Sequence, residues 1–242
     1  GSKLIKQGVA GAEYITPLVF MIVLGTVLLN ATTARLFAKM VGVFLKSSNA
    51  ILFLGASDPA RLIAKYLIDA GKRVVLIDSN KSFIESAKKE GLEAFSTNIY
   101  DDDLTDNIEL NDVGYLIAMT GSDAVNDFAI TSLSNAFGEH GAYRLATSKE
   151  IRTNNSENKD QFFSPKDDYI NLSEAFRDNP KIYEVVIDSE EMYNTMLSKL
   201  FNELKSVLLF VKKSGKLYLI PEFEKSGLSK ENCTFVYLGK NI

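Results

Sequence analysis

The sequence predicts a doubly wound α/β fold with a parallel sheet, preceded by a transmembrane helix and followed by a small α+β or β-rich module. Between residues 50 and 147, short apolar runs alternate with segments of helical periodicity, a pattern typical of parallel strands joined by right-handed crossovers. An uncharged apolar stretch at residues 14–34 is long enough to span a bilayer. After residue 147 the composition becomes polar and the apolar periodicity stops.

The stretch at residues 14–34 predicts the transmembrane helix, because about 20 helical residues span roughly 30 Å of hydrocarbon. Glu13 precedes it, whereas Arg35, Lys39 and Lys46 follow it. The positive-inside rule therefore places the chain after about residue 35 in the cytoplasm. The alternative is a core or dimerisation helix of a soluble protein. Polar residues inside the stretch fit a helix that bonds across to neighbouring membrane helices: Asn30, Thr32 and Thr33.

The stretch around which the fold is organised is a strand, glycine turn, helix and strand at residues 49–78. An apolar run at residues 51–54 ends at Gly55, as a strand buried on both faces would. Asp58 is predicted as the N-cap of the helix and Pro59 as its first residue. A second apolar run ends at Asp78. This arrangement is typical of the first half of a nucleotide-binding doubly wound (Rossmann-like) fold.

The remaining elements of the sheet follow in the same alternation. Asn80 is a predicted N-cap, and an acidic segment at residues 101–107 is a predicted helix start. Three further short strands are predicted at residues 92–95, 113–119 and 142–146, with a helix from Asp123 to Phe137.

The pattern divides the chain into four parts. Residues 1–46 hold the membrane helix and its linker, and residues 47–147 the Rossmann-like domain. Residues 148–168 are predicted to be a mobile linker, since they are polar and lack apolar periodicity. Residues 169–242 form the small module, with a helix capped by Ser189 and a hairpin around Ser214.

Composition excludes several functions. The formal net charge of −4 provides no general basic field for nucleic acid. Cys233 is the single cysteine, so an intramolecular disulfide is impossible and a reducing compartment is expected. His140 is the single histidine, and no metal-ligand spacing is present, so no metal site is expected. No nucleophile with a neighbouring base is evident, and we expect no enzymatic activity. The initial Gly-Ser without methionine is interpreted as a cloning remnant on a fragment.

The turn after the first strand is the candidate phosphate-binding loop. It has Gly55 and Ala60 at the first and third positions of a GxGxxG motif, with Ser57 at the second. The Ser57 side chain narrows the path of a phosphate, and Asp58 adds a negative charge. At about 4 Å that charge repels another by of order 4 kcal/mol near a protein surface. A Rossmann-like scaffold with a degenerate pocket is therefore the alternative to a binding site.

Two further groups of residues are candidates for cofactor binding at the same edge of the sheet. Asp78 either accepts hydrogen bonds from ribose hydroxyls or is an ordinary strand-end residue. Thr120, Gly121 and Asp123 follow the fourth strand and either line an adenine site or cap the next helix. With Gly55 and Ser57, these residues form the predicted site for NAD(H) or an adenine nucleotide.

Residues 50–147 resemble the RCK/TrkA-N family, the cytosolic domains that regulate potassium channels and transporters. The resemblance rests on ILFLGASDPARLIAKYLIDAGKRVVLIDSN and on DVGYLIAMTGSDAVNDFAITSLSNAFG, where Asp123 and Asn126 match the acid and asparagine of the family. Ser57, Asp58 and residues 97–100 depart from its pattern. Residues 24–43, LGTVLLNATTARLFAKMVGV, resemble the last membrane helix of sodium–hydrogen exchangers of the NhaP-like cation/proton antiporter type.

Together these resemblances imply the carboxyl-terminal part of a monovalent cation/proton antiporter in the cell inner membrane. They imply a regulatory region that senses a nucleotide or ion, dimerises through its RCK-like domain and acts on the membrane domain of the same antiporter. The alternatives are a Rossmann-type nucleotide-dependent oxidoreductase and a purely structural dimerisation tail.

Overall fold

The computed structural model describes residues 5–40, 49–100, 110, 112–153, 161–163, 167–202 and 205–241, except the side chains of residues 35, 36 and 38–40. These residues fall into two compact units, residues 1–46 and 47–242. The first unit holds a short 3₁₀ turn, Ala12–Tyr14, and the helix α1, Ile15–Met40. The predicted acidic helix start at residues 101–107 lies outside the described residues.

Helix α1 exposes the apolar side chains that the structure describes. The span Ala12–Ala34 has a mean hydropathy of 2.0, and every residue of it after Ala12 is exposed. By length and composition this helix can cross a membrane, which is consistent with membrane anchoring. The hydroxyls of Thr26, Thr32 and Thr33 donate to backbone carbonyls three or four residues earlier, at 2.7–2.9 Å. The sequence predicts bonds to other helices for Thr32 and Thr33, whereas both are satisfied within α1.

The second unit begins with a five-stranded parallel sheet in the order β3-β2-β1-β4-β5. This order has β1 at its centre and confirms the predicted doubly wound fold. Its strands are β1 Ala50–Leu54, β2 Val74–Asp78, β3 Glu93–Ser96, β4 Val113–Ala118 and β5 Gly141–Arg144. The crossover helices are α2 Asp58–Asp69, α3 Lys81–Lys89 and α4 Asp123–Phe137.

Both faces of the central strand are buried, which explains the uninterrupted apolar run in the sequence. Ile51 and Phe53 belong to the core on one face of the sheet. Leu52 and Leu54 belong to the core on the other face. Helices on both faces cover these side chains, as expected of a parallel sheet.

The C-terminal part contains a four-stranded antiparallel sheet in the order β6-β9-β7-β8. The predicted hairpin is confirmed as β7 and β8. Ser189 caps the helix that begins at Glu190 by accepting a bond from the Met192 amide at 3.2 Å. The last strand lies inside the sheet, between β6 and β7. The elements are α5 Ser148–Thr153, α6 Tyr169–Asp178, β6 Ile182–Ile187, α7 Glu190–Asn202, β7 Val207–Lys213, β8 Lys216–Leu219, α8 Ile220–Lys225 and β9 Cys233–Leu238.

The two sheets share one core, and Tyr66 of α2 joins them. Its ring stacks on Phe210 of β7, with centroids 5.9 Å apart, and its hydroxyl donates to Glu184 of β6 at 2.8 Å. Lys212 donates to the same carboxylate at 2.6 Å. Burial raises the pKa of Tyr66 to about 12. The phenol therefore remains protonated and able to donate over the physiological pH range.

The segment predicted as a mobile linker differs from that expectation wherever it is described. Residues 148–153 are helical, and Phe162 and Phe163 are buried. Gln161 is paired with Arg144 of β5, so the chain continues along the sheet edge. Two adjacent aromatic residues without periodic neighbours give too weak a pattern to identify buried structure. The remaining residues of this segment, 154–160 and 164–166, lie outside the described part of the chain.

Arg144 holds the end of β5 to both neighbouring helices. Its guanidinium contacts Glu150 of α5 at 2.7 Å and Asp127 of α4 at 2.9 Å, and it donates to the Leu145 carbonyl at 3.0 Å. The side chains of Arg144 and Glu150 are only 8% and 11% exposed. The guanidinium, with bonds from Thr147, lowers the pKa of Glu150 to about 2.

This depressed pKa predicts a loss of stability in acid. Because the folded-state pKa of Glu150 lies below its ordinary value of 4.5, its contribution is complete above about pH 5 and is lost as the pH falls towards 2. We expect Glu150→Gln to lower the free energy of unfolding by about 2 kcal/mol at pH 7. That difference should shrink steadily between pH 4.5 and pH 3 in urea unfolding in mild detergent. A difference independent of pH would contradict the charge-based explanation.

Candidate functional site

A crevice of about 320 Å³ opens at the carboxyl ends of β1, β2 and β4. Ligands of doubly wound folds bind at this position, where the strand order reverses. Five of the six predicted site residues line it: Gly55, Ser57, Asp78, Thr120 and Gly121. The other described lining residues are Leu54, Ser79, Phe83, Thr97, Asn98, Ile99, Tyr100, Met119, Ser122, Val125 and Tyr169.

Gly55 brings the backbone of the β1 turn close to the end of β4. Its φ of +110° lies in a region that side-chain-bearing residues rarely adopt. A Cβ atom at this position would lie 2.9 Å from the carbonyl oxygen of Met119. Only glycine therefore fits the floor of the crevice at this point.

Ser57 is the N-cap residue of α2, and the helix begins at Asp58. The prediction of Asp58 as the N-cap was wrong by one residue, and Pro59 is correspondingly the second helical residue. The Ser57 hydroxyl makes no capping bond. It is buried and, among the residues that the structure describes, has no hydrogen-bond partner. An unpaired buried hydroxyl costs about 1–3 kcal/mol. Ser57 as a residue lines the crevice beside the N-terminus of a 12-residue helix.

Asp58 does not oppose a bound anion as strongly as the sequence suggests, because its charge is paired. The guanidinium of Arg61 forms an ion pair with the Asp58 carboxylate at 2.6 Å and a second one with the Glu90 carboxylate at 2.8 Å. Arg61 also donates to the Ala56 carbonyl at 2.8 Å, which fixes the loop from below. Arg61 was not predicted as part of the site, although its spacing from Asp58 is that of an ion pair on one helix face.

Asp78 both lines the crevice and organises its loops. One carboxylate oxygen accepts a bond from the Ala56 amide at 2.9 Å. The other accepts one from the Asn80 amide at 2.8 Å. Each oxygen retains a lone pair for a further donor, such as a ribose hydroxyl.

The turn after β4 is fixed from beneath by Asn126. Its buried amide accepts bonds from the backbone and hydroxyl of Thr120 at 3.0 and 2.8 Å and donates to the Thr120 carbonyl at 3.0 Å. Ser122 caps α4 by accepting a bond from Val125 at 3.4 Å. Asp123 is the first residue of α4 and is not among the described residues that line the crevice. Thr120 and Gly121 therefore shape the crevice, whereas Asp123 belongs to the helix start.

Tyr169 lines the crevice and, like Arg61, was not predicted from the sequence. It is the first residue of α6 and reaches the crevice from beyond the parallel sheet. A Cβ atom added to Gly121 would lie 3.2 Å from its ring. A single tyrosine after a polar segment gives no local signal of such a contact.

The strand order, the glycine turn and the acid at the end of β2 define a domain of the Rossmann type. Residues 51–162 match the family model described as the TrkA-N domain. This match agrees with the resemblance that residues 50–147 show in the sequence.

Several solved structures are similar at low identity. The NAD(P)-binding domain of an exopolyphosphatase-related protein from Archaeoglobus fulgidus is 22% identical, with 43% of this chain and 79% of that chain covered and a TM-score of 0.36. The TrkA-N domain of the inner membrane protein ybaL from Escherichia coli is 14% identical, with coverages of 43% and 78% and a TM-score of 0.37.

Another similar structure is that of the GsuK channel bound to NAD. It is 12% identical, with 98% of this chain and 45% of that chain covered and a TM-score of 0.39. A comparison with curated proteins found no significant match.

Proposed function

We propose that this chain is the regulatory carboxyl-terminal region of a monovalent cation/proton antiporter, whose TrkA-N domain senses NAD(H) or an adenine nucleotide without catalysing a reaction. The observation that carries the nucleotide proposal is the crevice at the carboxyl ends of the parallel strands, where Gly55, Ser57 and Asp78 lie together at the start of α2. A phosphate there would lie at a helix N-terminus. A ribose would lie within reach of Asp78.

The transport side of the proposal is supported by the exposed apolar helix α1 and by the resemblance of residues 24–43 to an antiporter helix. Nine residue steps join Met40 to Asn49, a reach of at most about 30 Å. In this proposal the α/β unit is a homodimer on the cytoplasmic side of the inner membrane. The unit has two conformations that differ in their affinity for the nucleotide, so nucleotide binding favours one of them and thereby biases the membrane domain.

Asp78 provides the test of nucleotide binding. Because its carboxylate accepts the Ala56 amide and faces the crevice, we expect Asp78→Ala to weaken nucleotide binding at least tenfold. The measurement is calorimetric titration of the whole chain in lipid nanodiscs with NAD, NADH, ATP, ADP and AMP. Asp69→Ala, which removes an exposed carboxylate at the far end of α2, is the control and should bind as the wild type does.

Each alternative function has its own signature in this experiment. Silence of the wild-type chain towards all five nucleotides would contradict the proposal and favour a structural dimerisation tail. Oxidation of NADH, followed by its absorbance during the titration, would instead favour an oxidoreductase.

A further inference from the structure

Tyr169 is contributed by a part of the chain beyond the TrkA-N match. Asp168 caps its helix, α6, by accepting a bond from the Asn171 amide at 2.8 Å. Helix α6 packs against α2 of the parallel sheet and against β7 of the antiparallel sheet. The helix that carries Tyr169 is thus packed against both sheets' elements where it meets the crevice.

The strand order shows which part of the crevice the ring occupies. Gly55 follows the central strand β1, with Asp78 on the β2 side and Gly121 on the β4 side. In doubly wound folds, the two halves of a dinucleotide lie on opposite sides of the central glycine turn. Tyr169 packs directly on Gly121, where any Cβ atom would meet its ring at 3.2 Å. The β4 side is therefore covered by a protein side chain.

The β2 side, in contrast, keeps the groups that a single nucleotide needs. Asp78 is placed for ribose hydroxyls, and Ser57 for a phosphate at the N-terminus of α2. The crevice volume of about 320 Å³ is near the lower end of the roughly 300–1,000 Å³ range of small-molecule sites.

We propose that Tyr169 restricts this crevice to mononucleotides, adenosine carrying one or more phosphates, and excludes the dinucleotide NAD(H). This inference rests on the proposed function, since it requires that the crevice binds nucleotides. The ring fills the place of the second nucleotide half, so the exclusion is steric and depends on side-chain size rather than on the hydroxyl.

The test compares ADP with NAD by calorimetric titration of the whole chain in nanodiscs. We expect the wild type to bind ADP at least tenfold more tightly than NAD. Tyr169→Ala should reduce that preference at least tenfold, chiefly by tightening NAD binding. Tyr169→Phe keeps the ring and should keep the preference, as should the control Ile170→Ala, which changes an exposed neighbour on α6. Tyr169→Leu replaces the alanine variant should that variant fail to fold.

A fluorescence reporter gives an independent measurement. The sequence contains no tryptophan, so Tyr169→Trp introduces a single tryptophan at the crevice, which can be excited selectively over the tyrosines. Its emission should change on addition of ADP and saturate at the concentration that calorimetry indicates. The same emission should stay unchanged at equal concentrations of NAD.

The outcomes separate the two proposals. If the wild type binds NAD as tightly as ADP, and Tyr169→Ala leaves the ratio unchanged, the exclusion is overturned while nucleotide sensing stands. If neither the wild type nor Tyr169→Ala binds any nucleotide, both proposals are overturned.

Discussion

Replacement of Arg144 by methionine is expected to lower the free energy of unfolding by about 3–5 kcal/mol. The change removes the partner of Glu150, whose carboxylate is 11% exposed and would remain buried without a counter-ion. It also releases Asp127 of α4, so the end of β5 loses its ties to both flanking helices. Thermal unfolding in mild detergent, followed by circular dichroism, should show a midpoint lower by about 10 °C.

Arg177→Met is the matched control for this experiment. Arg177 forms ion pairs with Glu174 and Asp178 at 3.9 and 3.6 Å, but its side chain is 71% exposed. Such exposed pairs contribute about 0–1 kcal/mol. Equal effects of the two substitutions would contradict the structural role assigned to Arg144. Addition of Glu150→Gln to Arg144→Met should recover part of the loss, because it removes the unpaired charge.

Gly55→Ala is expected to cost about 2–5 kcal/mol and to abolish nucleotide binding. About 1–2 kcal/mol comes from the backbone conformation and the rest from overpacking against Met119. The carbonyl of Met119 is part of the backbone, so neither side of the 2.9 Å contact can move without displacing the floor of the crevice. Urea unfolding and the ADP titration measure the two effects.

Gly71→Ala separates backbone strain from steric contact. Gly71 has a similar φ of +81°, but an added Cβ would meet nothing within 4 Å. We expect this variant to lose only about 1–2 kcal/mol and to bind nucleotide normally. If the two alanine variants were equally stable, the close approach of β1 and β4 would not be the reason for glycine at position 55.

The parallel sheet could be predicted because its signals are local. The buried run at residues 51–54, Gly55 and the acid Asp78 lie within one strand-helix-strand unit, and their order alone defines the crevice. Asn80 was likewise predicted correctly as an N-cap, with its side chain accepting a bond from the Ser82 amide at 3.0 Å.

The details missed by sequence reasoning depend on residues that are distant along the chain. Arg61 stabilises the glycine turn partly through Glu90, which lies 29 positions away. Tyr169 meets Gly121 across 48 positions, a separation given by their numbers in the sequence. The error at the start of α2 was different, because Ser57 and Asp58 are both good N-caps and only the backbone conformation distinguishes them.

The position of β9 inside the antiparallel sheet has a consequence for biosynthesis. Strands β6 and β7 leave the ribosome well before residues 233–238, yet the sheet joins β6 to the β7–β8 hairpin only through that later segment. Until it emerges, a nascent chain presents two open strand edges at once, a state prone to intermolecular pairing. A premature stop codon shortly before Cys233 should therefore yield an aggregating product, even though all the described residues that line the crevice would already have been translated.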